Sequence, residues 1–336
     1  MTVKNLQRTL GKGGPEAGAL GVGTWAIGGP FFSGTGCRYP TGAPLGYGDV
    51  DDKDSIGALH AALDCGVKLF DTADAYGTGH AERILGQALG KRRGGVLVAT
   101  KFGNTYDVKS RELTGVNVNP DYIVSACKAS LERLQTDWID LYQLHVGGMS
   151  PDLADDVANT LDEMCGKGMI RFYCWSTDDP ARARLWGTRE KAVSVQFDMN
   201  VFEDAPGMLS ICDELDYAAI IRMPLAMGFL SGKFSPQSIL PENDIRHRPP
   251  DWLKYFTSGG NADRGWLARL ESIKEILASE GRTLAQGALA WVWARNPRTI
   301  PIPGIRTREQ AKENCAAVQF GPLTPDQMSE ISDLLG

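Results

Sequence analysis

Leu69-Phe70-Asp71-Thr72-Ala73-Asp74-Ala75-Tyr76-Gly77 is an apolar run that ends on a carboxylate and carries a phenol five residues further on. A short apolar run entering a small-residue stretch predicts a buried strand over residues 67–70, with Asp71 at its end and Tyr76 in the loop beyond. Ahead of it Ile56, Leu59 and Leu63 recur at helical spacing. Asp54 is placed to cap that helix and Gly66 to stop it. The unit then repeats. Strands are predicted over residues 20–24, 67–70, 96–100, 139–144, 170–174, 192–197, 218–222 and 299–302, with helix-period stretches between them. One such stretch opens at Asn119-Pro120-Asp121 and places Ile123, Cys127, Leu131 and Leu134 on one face; the last opens at Thr324-Pro325 and carries Met328, Ile331 and Leu335. Strands alternating with helices, without a linker or composition shift, predict an α/β chain forming one (β/α)8 TIM barrel domain over residues 1–336.

The chain has 336 residues, 43% hydrophobic and 23% charged, which excludes disordered and collagen-like classes. A formal net charge of −6 offers no basic field to nucleic acid or to an anionic membrane surface. The first twenty residues lack a signal peptide's apolar segment, and no run of about 18 apolar residues occurs, so a soluble, cytoplasmic protein is expected. Cys37, Cys65, Cys127, Cys165, Cys174, Cys212 and Cys315 are scattered with no C-x-x-C pair and read mostly as small buried hydrophobes. His60, His80, His145 and His247 show no ligand spacing, so no metal is expected. Nothing in the pattern selects between a monomer and a homo-oligomer.

Two stretches interrupt the alternation. Residues 30–52 follow the first strand and residues 235–264 the seventh, both rich in Gly and Pro, and in a barrel both fall on the C-terminal face. The same face receives Asp71 and Tyr76 from the second strand, Lys101 at the end of Val98-Ala99-Thr100-Lys101, and His145 at the end of Leu141-Tyr142-Gln143-Leu144-His145. Singly, each is an ordinary loop residue. Together, at matching ends of successive strands, they form a catalytic set suited to carbonyl reduction by hydride. Negative charge grows on the carbonyl oxygen as hydride arrives, so a donor must stabilise and then protonate it. A free phenol, with a pKa of about 10, donates reluctantly near neutrality. A lysine ammonium held against it in a dry site lowers that pKa, and Asp71 offsets the cost of burying the ammonium. Neutral His145 can donate a second hydrogen bond to the same oxygen.

These residues resemble the aldo-keto reductase superfamily, whose Asp, Tyr, Lys and His motif is matched by Asp71, Tyr76, Lys101 and His145. The resemblance runs over essentially the whole chain. It includes Gly21 to Trp25, the Gly79-x-x-Glu82-x-x-Leu85-Gly86 helix, Pro224-Leu225-Ala226-Met227-Gly228-Phe229-Leu230-Ser231-Gly232-Lys233 and Ile302-Pro303-Gly304-Ile305-Arg306. It implies an NADP(H)-dependent enzyme acting on a small-molecule carbonyl substrate, sugar-like compounds among them. By the same resemblance Ser176, Thr177, Gln196 and Asn200 lie at the nicotinamide carboxamide, and Pro224, Leu225, Gly228, Leu230, Gly232 and Lys233 at the pyrophosphate. Thr24, Trp25, Asp71, Ile302 and Gly304 fall along the same cofactor groove. Two positions depart from the family pattern: Arg222 stands where an aromatic ring usually stacks on nicotinamide, and Thr177 where an asparagine is common. A planar guanidinium can stack as well.

Gly21-Val22-Gly23-Thr24-Trp25-Ala26 satisfies G-x-G-x-x-A, but Gly28-Gly29-Pro30 forbids the helix a dinucleotide fold needs there. Gly21 and Gly23 are therefore close-packing residues of the first strand. A better phosphate receptor is Arg306 beside Thr307, an N-cap with Gln310 three residues on. The resemblance makes that phosphate the 2′-phosphate of NADPH, with Gln310, Glu313 and Asn314 near the adenosine. Trp25, Phe31, Phe32, Phe102 and Trp175 fall near strand ends and, with Tyr76 and His145, predict an aromatic substrate pocket to which Trp252, Tyr255 and Phe256 are available from the later insertion. Trp175 stands where the family residue is usually small. Two further readings share the same residues: an NADP-dependent polyol or sugar dehydrogenase with Tyr76 as base, and an NADPH-binding regulatory subunit resembling potassium-channel β subunits.

Overall fold

The computed structural model describes residues 6–336; the first five, the start of the stretch read for a leader segment, lie outside the described residues. Eight parallel strands pair in chain order: β1 (Gly21–Gly23), β2 (Leu69–Asp71), β3 (Leu97–Phe102), β4 (Ile139–Leu144), β5 (Ile170–Ser176), β6 (Ala192–Asp198), β7 (Ala218–Arg222) and β8 (Thr299–Pro301). A parallel bridge between Gly23 and Gly304, with Gly23 N donating to Pro303 O at 3.0 Å, returns the first strand to the segment after the last. The sheet is thereby a nearly closed (β/α)8 barrel. Gly21 and Gly23 are required at that seam: a Cβ at either would lie 2.8 or 2.9 Å from Ile302. Trp25–Ile27 is a single 3-10 turn, so the G-x-G-x-x-A string opens no helix.

Around the barrel run α1 (Asp52–Asp64), α2 (His80–Leu89), α3 (Pro120–Leu134), α4 (Ala154–Gly166), α5 (Pro180–Arg184), α6 (Pro206–Leu215), α7 (Arg264–Leu277), α8 (Leu284–Arg295), α9 (Arg308–Ala316) and α10 (Pro325–Leu335). Alternation along each strand separates two apolar layers. Leu69, Leu97, Ala99, Leu141 and Ile220 fill the barrel interior, while Phe70, Val98, Tyr142 and Tyr173 face the helices. The cap of α1 is Asp51, not Asp54: its Oδ1 accepts from Lys53 N at 2.7 Å and Asp54 N at 3.1 Å. Four of the strands run past the expected ends, so Asp71, Lys101, Ser176 and Asp198 are strand residues. That extra length fixes which way each side chain points.

Three local pieces lie beyond what periodicity predicts. A bridge between Thr9 and Glu16 closes an N-terminal hairpin whose Leu10 packs into the inner core. A hairpin of Asn104–Asp107 and Glu112–Val116 follows β3, and its second strand pairs with Phe32–Ser33 of the first insertion. The second insertion contributes a two-residue hairpin, Phe256–Thr257 with Asn261–Ala262. No helix among the described residues is long and apolar enough to cross a membrane.

Candidate active site

Lys101 comes from β3 and Asp71 from the end of β2, paired in register two residues apart, so both side chains enter the barrel mouth. Lys101 is fully buried; its Nζ donates to Asp71 Oδ2 at 2.6 Å, to Thr72 O at 2.8 Å and to the Tyr76 hydroxyl at 3.3 Å. The structure thus brings together three of the four residues by direct contact. His145 joins them edge-on, its ring 5.8 Å from that of Tyr76. Burial opposes the Lys101 ammonium, but the Asp71 carboxylate and the Tyr76 oxygen outweigh it and hold the pKa above the ordinary lysine value. Burial pushes the Tyr76 phenol up, and Lys101 draws it back only in part. The expectation of a net lowering is therefore corrected: the phenol keeps its proton through the neutral range. His145 is held well below the usual histidine range, by burial first and then by Lys101 and Arg222, so its ring is neutral.

Tyr76 is fixed by its surroundings. Its ring stacks on Trp25 at 5.7 Å and 13°. Trp25 in turn meets Tyr47 edge-on at 5.2 Å and donates Nε1 to Leu45 O at 2.9 Å, so the first insertion sets the angle of the phenol. Below the loop, buried Glu82 of α2 accepts from Thr100 Oγ1 and from Arg133 of α3, each at 2.6 Å. That pair explains the Glu82 of the sequence motif, and it ties the loop carrying Tyr76 to β3 and α3.

A polar ring lies beside Asp71. Gln143 Nε2 and Gln196 Nε2 donate to Asp71 Oδ1 at 2.7 and 2.8 Å, so the carboxylate is fully engaged and Gln196 is partly occupied by it. Gln143, absent from the sequence-derived set, was marked by its inward parity two residues before His145. Arg222 is not a free ring-like plane. It is ion-paired at 2.5 Å with both Asp178 and Asp198 and donates to Ser176 Oγ at 3.1 Å and Gln196 O at 3.2 Å. Burial pushes the Asp198 carboxyl up to about 6 despite Arg222. Thr177 donates to Gly147 O at 3.0 Å, and Asn200 donates to the Tyr255 hydroxyl at 3.1 Å. A cavity of about 370 Å³ lined by Asp178, Asp198, Glu203, Met223 and Trp252 among others adjoins this corner.

The loop after β7 bends through left-handed backbone at Met223, Ala226, Met227, Gly228 and Gly232. Such conformations cost about 1–3 kcal/mol each at non-glycine residues and recur at ligand clamps. Arg246 of the second insertion pins the loop: it donates to Met227 O at 3.1 Å, is paired with Asp244 at 2.6 Å, and lies 4.7 Å over the Tyr47 ring. Burial, then Arg246 and Arg306, pull Lys233 down to about 8. Three cations face one groove with one carboxylate, Asp244, among them, a donor set that fits a polyphosphate. Thr24 Oγ1 and His145 Nδ1 are buried at the mouth without a partner, as polar ligand atoms would require. The residues present therefore fit a nicotinamide dinucleotide. Arg306 also donates to Tyr47 O at 3.1 Å and to Asp49 O, so it straps the first insertion across the groove. Thr307 caps α9 by accepting from Gln310 N at 3.3 Å; Asn314 is buried two turns on, and Glu313 beside it is half-buried. The two insertions are joined as well, Ile245 N donating to Gly46 O at 2.7 Å and Trp252 Nε1 to the Tyr39 hydroxyl at 3.1 Å. Arg246 and Tyr47 were missed because no periodicity links stretches so far apart; the Asp244-x-Arg246 spacing was the one available signal.

Several pocket expectations are corrected. Phe102 and Trp175 each adjoin an inward residue on their strand and so point outward: Phe102 stacks on Tyr142 at 4.5 Å, and Trp175 lies 5.0 Å from Trp186 with Nε1 on Val146 O. Phe31 is buried in a satellite cluster with Leu45, Ala75 and Leu113 against which Trp25 and Tyr76 pack, so it backs the mouth, and Phe32 is a half-buried strand residue beside it. Tyr255 and Phe256 pack with Phe229 under the second insertion. Trp25, Tyr76 and His145 stay at the mouth, and Trp252 lines the adjoining cavity.

A barrel whose C-terminal mouth carries a buried Lys–Asp pair against a tyrosine is the framework of an oxidoreductase class recognised across the chain. The chain belongs to the aldo/keto reductase family, whose model matches residues 19–335. An uncharacterized oxidoreductase of Bacillus subtilis is 31% identical over 82% of this chain and 86% of its own length. An aldo-keto reductase of Schizosaccharomyces pombe designated for NADP(+) is 28% identical, covering 85% of each. Among solved structures, the glycerol dehydrogenase of Gluconobacter oxydans superposes with a TM-score of 0.79 at 27% identity over 100% of this chain and 96% of that one. The holo form of an aldo-keto reductase from Bacillus halodurans gives 0.75 at 26% identity, covering 98% and 95%.

Proposed function

We propose that this protein is an NADP(H)-dependent reductase of aldehydes or ketones with Tyr76 as the proton donor. The observation that carries the reading is the Tyr76–Lys101–Asp71 chain at the barrel mouth, with contacts of 3.3 and 2.6 Å. When bound, NADPH supplies a hydride to the carbonyl carbon. Tyr76 meets the charge growing on the carbonyl oxygen and passes its hydroxyl proton to it. Lys101 Nζ stabilises the phenolate left behind, Asp71 holds that ammonium in place, and neutral His145 donates to the same oxygen and orients the carbonyl. Lys233, Arg246 and Arg306 would hold the phosphates, Gln310, Glu313 and Asn314 the adenosine, and Ser176, Thr177 and Gln196 the carboxamide. Leu225, Gly228, Leu230 and Gly232 would line the pyrophosphate, with Pro224, Ile302 and Gly304 beside the groove.

The raised Tyr76 pKa keeps the acid form that carbonyl reduction uses at neutral pH, while the net direction follows the cofactor ratio and the substrate's equilibrium. The carboxylates beside the mouth favour a polar, hydroxylated substrate. A polyol dehydrogenase reading draws on the likeness to the glycerol dehydrogenase and would use Tyr76 as phenolate base in alkaline solution. The deciding experiment is a panel of aliphatic, aromatic and sugar carbonyls followed by NADPH absorbance, with polyols and NADP+ run in parallel. Turnover of carbonyls at pH 7 is the expected result. Tight NADPH binding with negligible turnover in both directions would sink the enzyme reading in favour of a binding subunit.

Two expected results concern the cofactor. Arg306→Ala raises the NADPH dissociation constant far more than that of NADH, measured by fluorescence quenching; an equal rise in both would show that Arg306 serves only as a strap. Lys233 is charged below its pKa of about 8, so the NADPH dissociation constant is flat there. Above it the free protein has lost a proton that the bound phosphate requires, and affinity falls by up to about tenfold per pH unit until the bound-state pKa is reached. An affinity constant from pH 7 to 9.5 would exclude Lys233 from the phosphate site.

A further inference from the structure

Arg222 is the last residue of β7, and the left-handed loop that carries Lys233 begins at the next position. Its register partner on β6 is Asp198. Alternation gives Arg222 the inward side of Ile220 and Ser176 that of Cys174, so the Arg222 group stands on the floor of the mouth. Gln196, two residues before Asp198 and about 6.6 Å along the strand, donates to Asp71, the partner of Lys101. Asp178 closes the group from the loop after β5: its Oδ1 accepts from Asp198 N at 2.8 Å and its Oδ2 from Arg222 Nη2 at 2.5 Å.

Two carboxylates therefore share one guanidinium. The other carboxylates of this corner have cations of their own: Asp71 has Lys101, Glu203 has Lys254, Asp204 has Arg295 and Asp179 has Arg182. With its pKa at about 6, Asp198 is ionised at pH 7.5, and the group carries one net negative charge. The Tyr76 side of the mouth is cationic. Lys101 contacts the Tyr76 hydroxyl, and the charge of Arg38 from the first insertion reaches neutral His145.

We infer that Asp178, Arg222 and Asp198 form the counter-charge of the oxidised nicotinamide, so that NADP+ is held more tightly, relative to NADPH, than the phosphate contacts alone would allow. The inference rests on the cofactor reading above. Carbonyl reduction needs the hydride donor against a carbonyl whose oxygen lies on Tyr76, while the phosphate cations lie beyond Arg222. A cofactor spanning those two points brings its ring over the Arg222 group. Transfer of hydride, a proton with two electrons, leaves one positive charge on the ring and one negative charge on the carbonyl oxygen, which Tyr76 quenches with its proton. The mouth is polarised to match, cations toward the oxygen and the net anion toward the ring. The groove cations meet the same phosphates in both forms and do not tell them apart. Favouring the oxidised ring makes bound NADPH the stronger hydride donor.

Calorimetric titration at pH 7.5 gives the NADP+ and NADPH dissociation constants of the wild type, Asp178→Asn, Asp178→Glu and Asp198→Asn. In Asp178→Asn the NADP+ constant is expected to rise about fivefold or more, the worth of one charge across a half-exposed site, with that of NADPH within about twofold of the wild type. Asp198→Asn should show the same split, and Asp178→Glu should restore the wild-type ratio. Asp178 is 57% exposed, and an asparagine keeps an oxygen for Asp198 N, so the fold does not depend on its charge. Equal rises in both constants would mark Asp178 as a structural contact and overturn the counter-charge. So would a ratio that does not move. A wild type that binds neither form overturns the cofactor reading and this inference with it, whereas binding of both at an unmoved ratio overturns the inference alone.

Discussion

Tyr76→Phe is expected to lower kcat for carbonyl reduction by about 10²- to 10⁴-fold, the usual worth of a positioned proton donor, and to leave the NADPH dissociation constant within about twofold of the wild type. The substitution removes one oxygen and keeps the ring. The stack on Trp25 at 5.7 Å and the edge contact with His145 at 5.8 Å involve ring atoms only, so the loop stays where it is. Lys101 loses one hydrogen bond of three and keeps Asp71 and Thr72. Single-turnover absorbance of bound NADPH separates the chemical step from binding. Turnover retained within tenfold would remove Tyr76 as the acid, because no other hydroxyl contacts Lys101 Nζ among the described residues.

Why that site was largely legible in the sequence, and the pocket around it less so, comes down to parity. A strand end announces which residues reach the barrel mouth, and Asp71, Lys101 and Gln196 meet there as alternation requires. The same rule sends Phe102 and Trp175, one residue from Lys101 and Ser176, to the helix layer, and a strand drawn two residues short hides it. Trp25 reached the mouth but stacks on Tyr76. The seam at Gly23 and Gly304 and the clasp of Gly46 with Ile245 join segments far apart in the chain, and such pairings leave no local signature. Arg222 was visible as a departure, yet its carboxylate partners Asp178 and Asp198 come from loop and strand positions that spacing alone does not bring together.

Lys101→Met is expected to be the most destabilising change at the mouth. It leaves Asp71, 2% exposed, as a buried carboxylate held only by Gln143 and Gln196, and breaking a buried pair in this way costs about 3–5 kcal/mol. The two amide donors put the loss near the lower end of that range. Asp71→Asn added to Lys101→Met removes the stranded charge, so the double variant should recover most of the lost stability in urea, with an unchanged m-value. Chemistry should not recover with it. Lys101 is the group that draws the Tyr76 pKa down against burial. Without it the phenolate is reached only at higher pH, and alcohol oxidation, which needs Tyr76 as base, should move its alkaline limb upward in both variants. A double variant no more stable than Lys101→Met would mean that Asp71 is not stranded by loss of the ammonium. An unmoved alkaline limb would mean that Lys101 does not tune the phenol, and the proton-transfer chain would lose its middle member.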